Sequence, residues 1–149
     1  MNGAVTVPDV VASKGSRPIV MLTAYDAPTA RWAEAAGADI LLVGDSLAMV
    51  VLGHDTTLTV TLDEMLHHAR AVTRVARRCL VVGDLPFGSS QLSVEGTVAA
   101  AIRYLKEAQV HAVKLEGRWP EHVHALVRAG VPVVGHLGLT PQSIHRFGG

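Results

Sequence analysis

Six residues of types that do chemistry sit in or just past the ends of apolar runs: Asp45, Ser46, Asp84, Lys114, Glu116 and His136. The runs are residues 18–24 (PIVMLTA), 39–43 (DILLV), 79–83 (CLVVG), 111–115 (HAVKL) and 132–135 (PVVG). Near-continuous aliphatic and β-branched runs of about five residues read as strands of a parallel sheet covered on both faces. In such a sheet the carboxyl ends of the strands share one rim, and ligands gather there. Asp45 follows the second run, Asp84 the third and Glu116 the fourth, so three carboxylates are expected on that rim. Three like charges repel strongly without a cation between them. Oxygen donors, with no cysteine among them and no histidine pair at chelating spacing, favour Mg²⁺ over zinc. Lys114 and Glu116 are two apart on one strand and point to the same side. A lysine beside a metal suits a substrate carboxylate or phosphate. Gly44 and Gly83, directly before the aspartates, let backbone or ligand approach closely.

Other polar residues have blander readings. Asp26 after the first run reads as a helix cap, Cys79 as a small core residue, and His67-His68 as a packing or solvent-facing pair. His122 and His124 are two apart on a helix and cannot share an ion. Arg70, Arg74, Arg77 and Arg78 read as a solvated flank. His136 is balanced between a site residue and a structural hydrogen bond. The connection 46–60 (SLAMVVLGHDTTLTV) far exceeds the two to six residues usual for such loops. It reads either as a lid or as a loop tucked against a neighbour.

Amphipathic segments separate the strands and must set the rim. Leu62, Met65, Leu66, Ala69, Val72 and Val75 keep a helical stripe, opened by a Thr61–Glu64 capping box. Ser93 caps a second helix with the stripe Val94, Val98, Ile102 and Leu105. Trp119-Pro120 opens a third carrying Val123, Leu126 and Val127, and Thr140-Pro141 reads as the cap and first residue of another. Gly37 and Gly130 fall just past helix ends. This β-α alternation predicts a parallel α/β sheet. Two architectures compete: a five-stranded doubly wound sheet, and an eight-stranded barrel that needs about 250 residues. The ending HRFGG, barely a turn past Thr140-Pro141, favours a truncated barrel.

Thirteen basic residues balance thirteen acidic ones, so no net field draws nucleic acid or anionic lipid. No apolar run approaches the roughly 20 residues of a membrane span. A single cysteine excludes an internal disulfide and fits a reducing cytoplasm, and the N-terminus lacks a signal-peptide pattern.

The stretches MLTAYDAPTA, LLVGDSLAMVVLGHDTTLTVTLDEMLHHARAV, VVGDLPFGSS, AVKLEG and VPVVGHLGLTPQS together resemble the ketopantoate hydroxymethyltransferase family. Departures are small: Ala48, Thr59 and Ser90 stand where the family usually has glycine, proline and tyrosine. The resemblance implies a (β/α)8 TIM barrel of the phosphoenolpyruvate mutase/isocitrate lyase type, truncated after about five strands. It implies a single domain over residues 1–149, with 1–17 as an N-terminal extension. Asp45, Asp84 and Glu116 match the metal shell, and Ser46 and Lys114 match residues that hold the oxo-acid carboxylate. Asp45 and Asp84 also count among the substrate contacts, and His136 matches a further active-site position. The implied reaction moves a hydroxymethyl group from 5,10-methylenetetrahydrofolate to 3-methyl-2-oxobutanoate, giving 2-dehydropantoate. The implied partners are those small molecules, with homo-oligomers in the full-length protein. The family's general base is a glutamate on a later strand, beyond Gly149, so the chain alone is expected to be inactive and prone to associate through open strand edges. The rival readings are a receiver-type signalling module, which would call for a lysine after the fifth strand, and a non-catalytic barrel fragment.

Overall fold

Five parallel strands pair in the order in which the chain makes them: β1 (Met21–Thr23), β2 (Ile40–Val43), β3 (Leu80–Asp84), β4 (Ala112–Glu116) and β5 (Val133–His136). This computed structural model describes residues 3–148; Met1 and Asn2 of the expected extension, and Gly149, lie outside the described residues. Doubly wound and receiver-type sheets reverse their strand order to place helices on both faces. Here the order never reverses, so right-handed crossovers put the connecting helices on one face and leave the other as the inside of a barrel wall.

Alternation along the strands divides them between the two faces. Leu41, Val43, Val81, Val113 and Leu115 pack outward against α2 (Ala27–Ala35), α4 (Leu62–Thr73), α5 (Val94–Arg103) and α6 (Pro120–Arg128), through Ala30, Met65, Leu66, Ala101 and Leu126. Ile40, Leu80, Val82 and Ala112 point inward. The α4 capping box forms as the spacing requires: Thr61 N–H donates to Glu64 Oε2 at 2.7 Å, and Glu64 N–H donates to Thr61 Oγ1 at 3.2 Å. Gly37 and Gly130 take φ values of 93° and 79° at helix ends, as expected.

Several expectations need correction. The first strand is short and exposed rather than buried, because β1 is an edge with a partner on one side only. On α5 the buried face is Thr97, Ala100 and Ala101, continuing to Tyr104, while Ile102 is exposed; small residues let this helix approach the sheet closely. The helix then widens into a π-helical turn, Tyr104–Ala108. Thr140 caps nothing, and a 3-10 turn, Pro141–Ser143, precedes the one-turn α7 (Ile144–Phe147).

The N-terminal segment also forms α1 (Val7–Ala12), started by a Thr6–Asp9 capping box and Pro8. Val5, Val7 and Val10 lie against the inner cluster. The 46–60 connection holds α3 (Leu47–Val50) and a 3-10 turn, Thr57–Thr59. Leu47, Ala48, Thr57 and Val60 are buried, so it is tucked in, while residues 49–52 stay exposed.

Candidate active site

The inward register that stacks Leu80 on Ile40, and Val82 on Ala112, next pairs Asp84 with Lys114 and then Glu116 with His136. Parity alone therefore turns an apolar lower layer into a polar upper one at the carboxyl ends of the strands. Lys114 Nζ donates to Asp84 Oδ1 at 2.8 Å and to Oδ2 at 2.7 Å. The Asp84 side chain is 2% exposed and that of Lys114 is 13% exposed. Asp45 N–H donates to Asp84 Oδ2 at 3.2 Å, which sets the acid after β2 beside the acid of β3. Burial, reinforced by the Asp45 charge, outweighs the Lys114 ammonium and pushes the Asp84 carboxyl up to about 7.

Both glycines preceding the acids have structural reasons. A Cβ on Gly44 would lie 3.2 Å from Ser46 Oγ and 3.8 Å from Asp84 Oδ2, so the missing side chain keeps the floor open. A Cβ on Gly83 would fall 2.5 Å from the ring of Tyr104, which is fully buried. The Tyr104 hydroxyl donates to the Asp84 carbonyl at 2.6 Å. Burial raises its phenol well above the ordinary tyrosine value, keeping it a donor.

Ser46 Oγ shares a 2.8 Å hydrogen bond with the Tyr25 hydroxyl. Glu116 accepts the backbone N–H of Gln142 on Oε1 at 2.7 Å, while His136 Nδ1 lies 3.4 Å from its Oε2. That contact is too poorly directed for a hydrogen bond, and the buried Nδ1 makes none among the described residues. Burial raises the Glu116 carboxyl above the usual range, only partly offset by the Gln142 N–H.

The six expected residues thus occupy one rim, but the carboxylates do not converge as a trio. Among the described residues no group of three His, Cys, Asp or Glu side chains is arranged to hold a metal ion. The Asp45 backbone N–H reaches Asp84, Gln142 joins Asp45 to Glu116, and Glu116 also faces His136. The donor set remains all oxygen, and two carboxylates suit Mg²⁺, which typically takes one or two from a protein and completes its octahedron with water and substrate oxygens. Asp45 and Asp84 are the acids that could hold such an ion together.

Sequence reasoning passed over Gln142, Tyr25 and Tyr104. Gln142 lies far along the chain and carries no charge, so only the folded geometry exposes it. The TPQS stretch around it belonged to the resembling motifs and was its one signal. The blander readings are mostly as expected. Asp26 caps α2, accepting Thr29 N–H at 2.8 Å, and Cys79 is buried, which pushes its thiol up to about 11. His68 Nδ1 is paired with the Tyr25 carbonyl at 2.7 Å. Arg78 is no solvated residue: its Nη2 donates to the Ala38 carbonyl at 2.6 Å.

The family model described as ketopantoate hydroxymethyltransferase matches residues 4–149. The chain is 61% identical over 151 residues to the 3-methyl-2-oxobutanoate hydroxymethyltransferase of Syntrophobacter fumaroxidans, covering 100% of this chain and 54% of that protein. It is 54% identical over 147 residues to the protein of that name from Aeropyrum pernix, covering 97% and 53%. The chain spans about half the length of the curated relatives it matches. Among solved structures, a phosphonopyruvate hydrolase in complex with oxalate and Mg²⁺ superposes with a TM-score of 0.66 at 14% identity, covering 84% of this chain and 49% of that one. A 2,3-dimethylmalate lyase of the phosphoenolpyruvate mutase/isocitrate lyase superfamily gives 0.64 at 19%, covering 89% and 52%. At these identities the likeness shows the fold: five strands of the wall of that barrel. No described helix is long and apolar enough to cross a membrane.

Proposed function

Because the chain belongs to the ketopantoate hydroxymethyltransferase family, we propose that its rim is the oxo-acid side of an active site. That site transfers a hydroxymethyl group from 5,10-methylenetetrahydrofolate to 3-methyl-2-oxobutanoate, forming 2-dehydropantoate. The observation that carries this reading is the buried Lys114–Asp84 pair beside Asp45 on the inner face. Asp45 and Asp84 would hold Mg²⁺, with Glu116 in the outer shell. When bound, the ion supplies Lewis acidity that offsets negative charge developing on the oxo-acid oxygens.

The chain's own residues bind and orient. Lys114 has three N–H donors and Asp84 takes two, so the third is directed to the substrate carboxylate. In the Tyr25–Ser46 pair only one hydrogen lies between the oxygens, and the other hydroxyl hydrogen serves the same carboxylate. His136, whose Nδ1 has no hydrogen bond among the described residues, adds a polar contact from β5. None of these rim residues is given the role of removing the proton from C3. On this reading residues 1–149 act as one domain with 1–17 as an extension, in a cytoplasmic homo-oligomer when full length.

Calorimetric titration with 3-methyl-2-oxobutanoate tests the reading. Binding is expected with Mg²⁺ present, lost with chelator and lost in Asp84→Asn. Metal-independent binding that survives Asp84→Asn would overturn it.

A further inference from the structure

Gln142 reaches the rim from the 3-10 turn after β5, 97 residues along the chain from Asp45. Its Nε2 donates to Asp45 Oδ2 at 2.9 Å and to the Leu85 carbonyl at 3.0 Å. Both neighbours are acceptors, so the orientation of the amide is dictated: an oxygen in that position would face two oxygens. One N–H is thus anchored to backbone just past β3, and the other leaves in a fixed direction toward Asp45. The second Asp45 oxygen, Oδ1, accepts no hydrogen bond among the described residues. Meanwhile the Gln142 backbone N–H holds Glu116. One buried residue, 7% exposed, therefore links the acids that follow β2 and end β4. The turn carrying it packs against the turn Thr57–Thr59, so the tucked connection after β2 backs it from behind.

We propose that Gln142 is a positioning residue: its carboxamide tethers one oxygen of Asp45 and leaves the other aimed at a divalent cation. Docking of the segment after β5 then completes the cation site. This rests on the reading of Asp45 and Asp84 as the metal pair. Outer-shell hydrogen bonds that orient a ligand typically change metal affinity by about 10–100-fold when lost.

Mn²⁺ is the probe, with free ion counted by electron paramagnetic resonance on the whole chain and the folded fraction taken from circular dichroism. Gln142→Leu keeps the backbone N–H to Glu116 and much of the volume but removes the donor. The expected result is a full number of sites per folded chain with affinity weaker by about 10–100-fold. A purely structural role would reduce the number of sites at unchanged affinity, and that outcome, or a dissociation constant within about twofold of wild type, overturns the tether. Should wild type bind no better than Asp84→Asn, the functional reading itself fails and this inference with it. If Gln142→Leu does not fold, the wild-type chain still decides. Adding Mg²⁺ should shift the Gln142 side-chain amide resonances and leave those of Gln109, across the molecule beyond the π-helical turn, in place. Unmoved Gln142 resonances under binding conditions overturn the proposal.

Discussion

The two faces of the sheet are drawn from alternate residues of the same strands, yet they are finished differently. Outward, Leu41, Val43, Val81, Val113 and Leu115 are at most 1% exposed, sealed under helices. Inward, an apolar floor touched by α1 gives way within two residues to Asp84, Lys114, Glu116 and His136. The outer face makes stability mainly from apolar area. The inner face holds charges out of water, and that burial is sustained only by specific partners. The difference teaches that alternation serves both ends: one residue of each pair fixes the strand while the next is free to carry chemistry.

Breaking the inner pairing should have the largest effect. Lys114→Ala leaves Asp84 buried without its ammonium and should cost about 3–5 kcal/mol at pH 8. The sign with pH follows from linkage. Asp84 is raised in the folded state to about 7 from 3.8, so folding binds its proton, and the group's contribution falls as pH rises through that window. Losing Lys114 pushes the carboxyl higher still and extends the loss above pH 7. Urea melts should therefore show a smaller cost at pH 5 than at pH 8; an equal cost would contradict the buried-pair account.

A smaller loss is expected on the outer side. Gly83→Ala drives a methyl group into the fully buried Tyr104 ring, and overpacking of this kind costs about 1–3 kcal/mol in the same melts. The smallest effect sharpens the contrast at the sheet edge. Met21, register partner of Ile40 on β1, is 37% exposed, so Met21→Ser should cost no more than about 1 kcal/mol. A larger drop would mean that this edge is covered.

Much of the site was legible in the chain itself, because strand-end chemistry needs only the positions of the apolar runs. The spacing marks Asp45, Asp84, Lys114, Glu116 and His136 that way; the last four share the inner register, and the Asp45 N–H reaches Asp84. What spacing could not reveal was how the acids are partnered. Gln142 joins Asp45 to Glu116, while the Lys114 ammonium sits on Asp84. The exposed β1 and the π-helical turn escaped for a related reason: each depends on what neighbours an element, not on its own composition.

By itself the sequence determined the β-α order, the caps and the side to which each strand residue turns, since these follow from periodicity and from hydrogen bonds a few residues apart. Only the tertiary structure decided that the strands line up without reversal and that an amide from beyond β5 reaches an acid beyond β2. Those depend on contacts between residues distant in the chain, whose geometry is fixed by packing rather than by local preference.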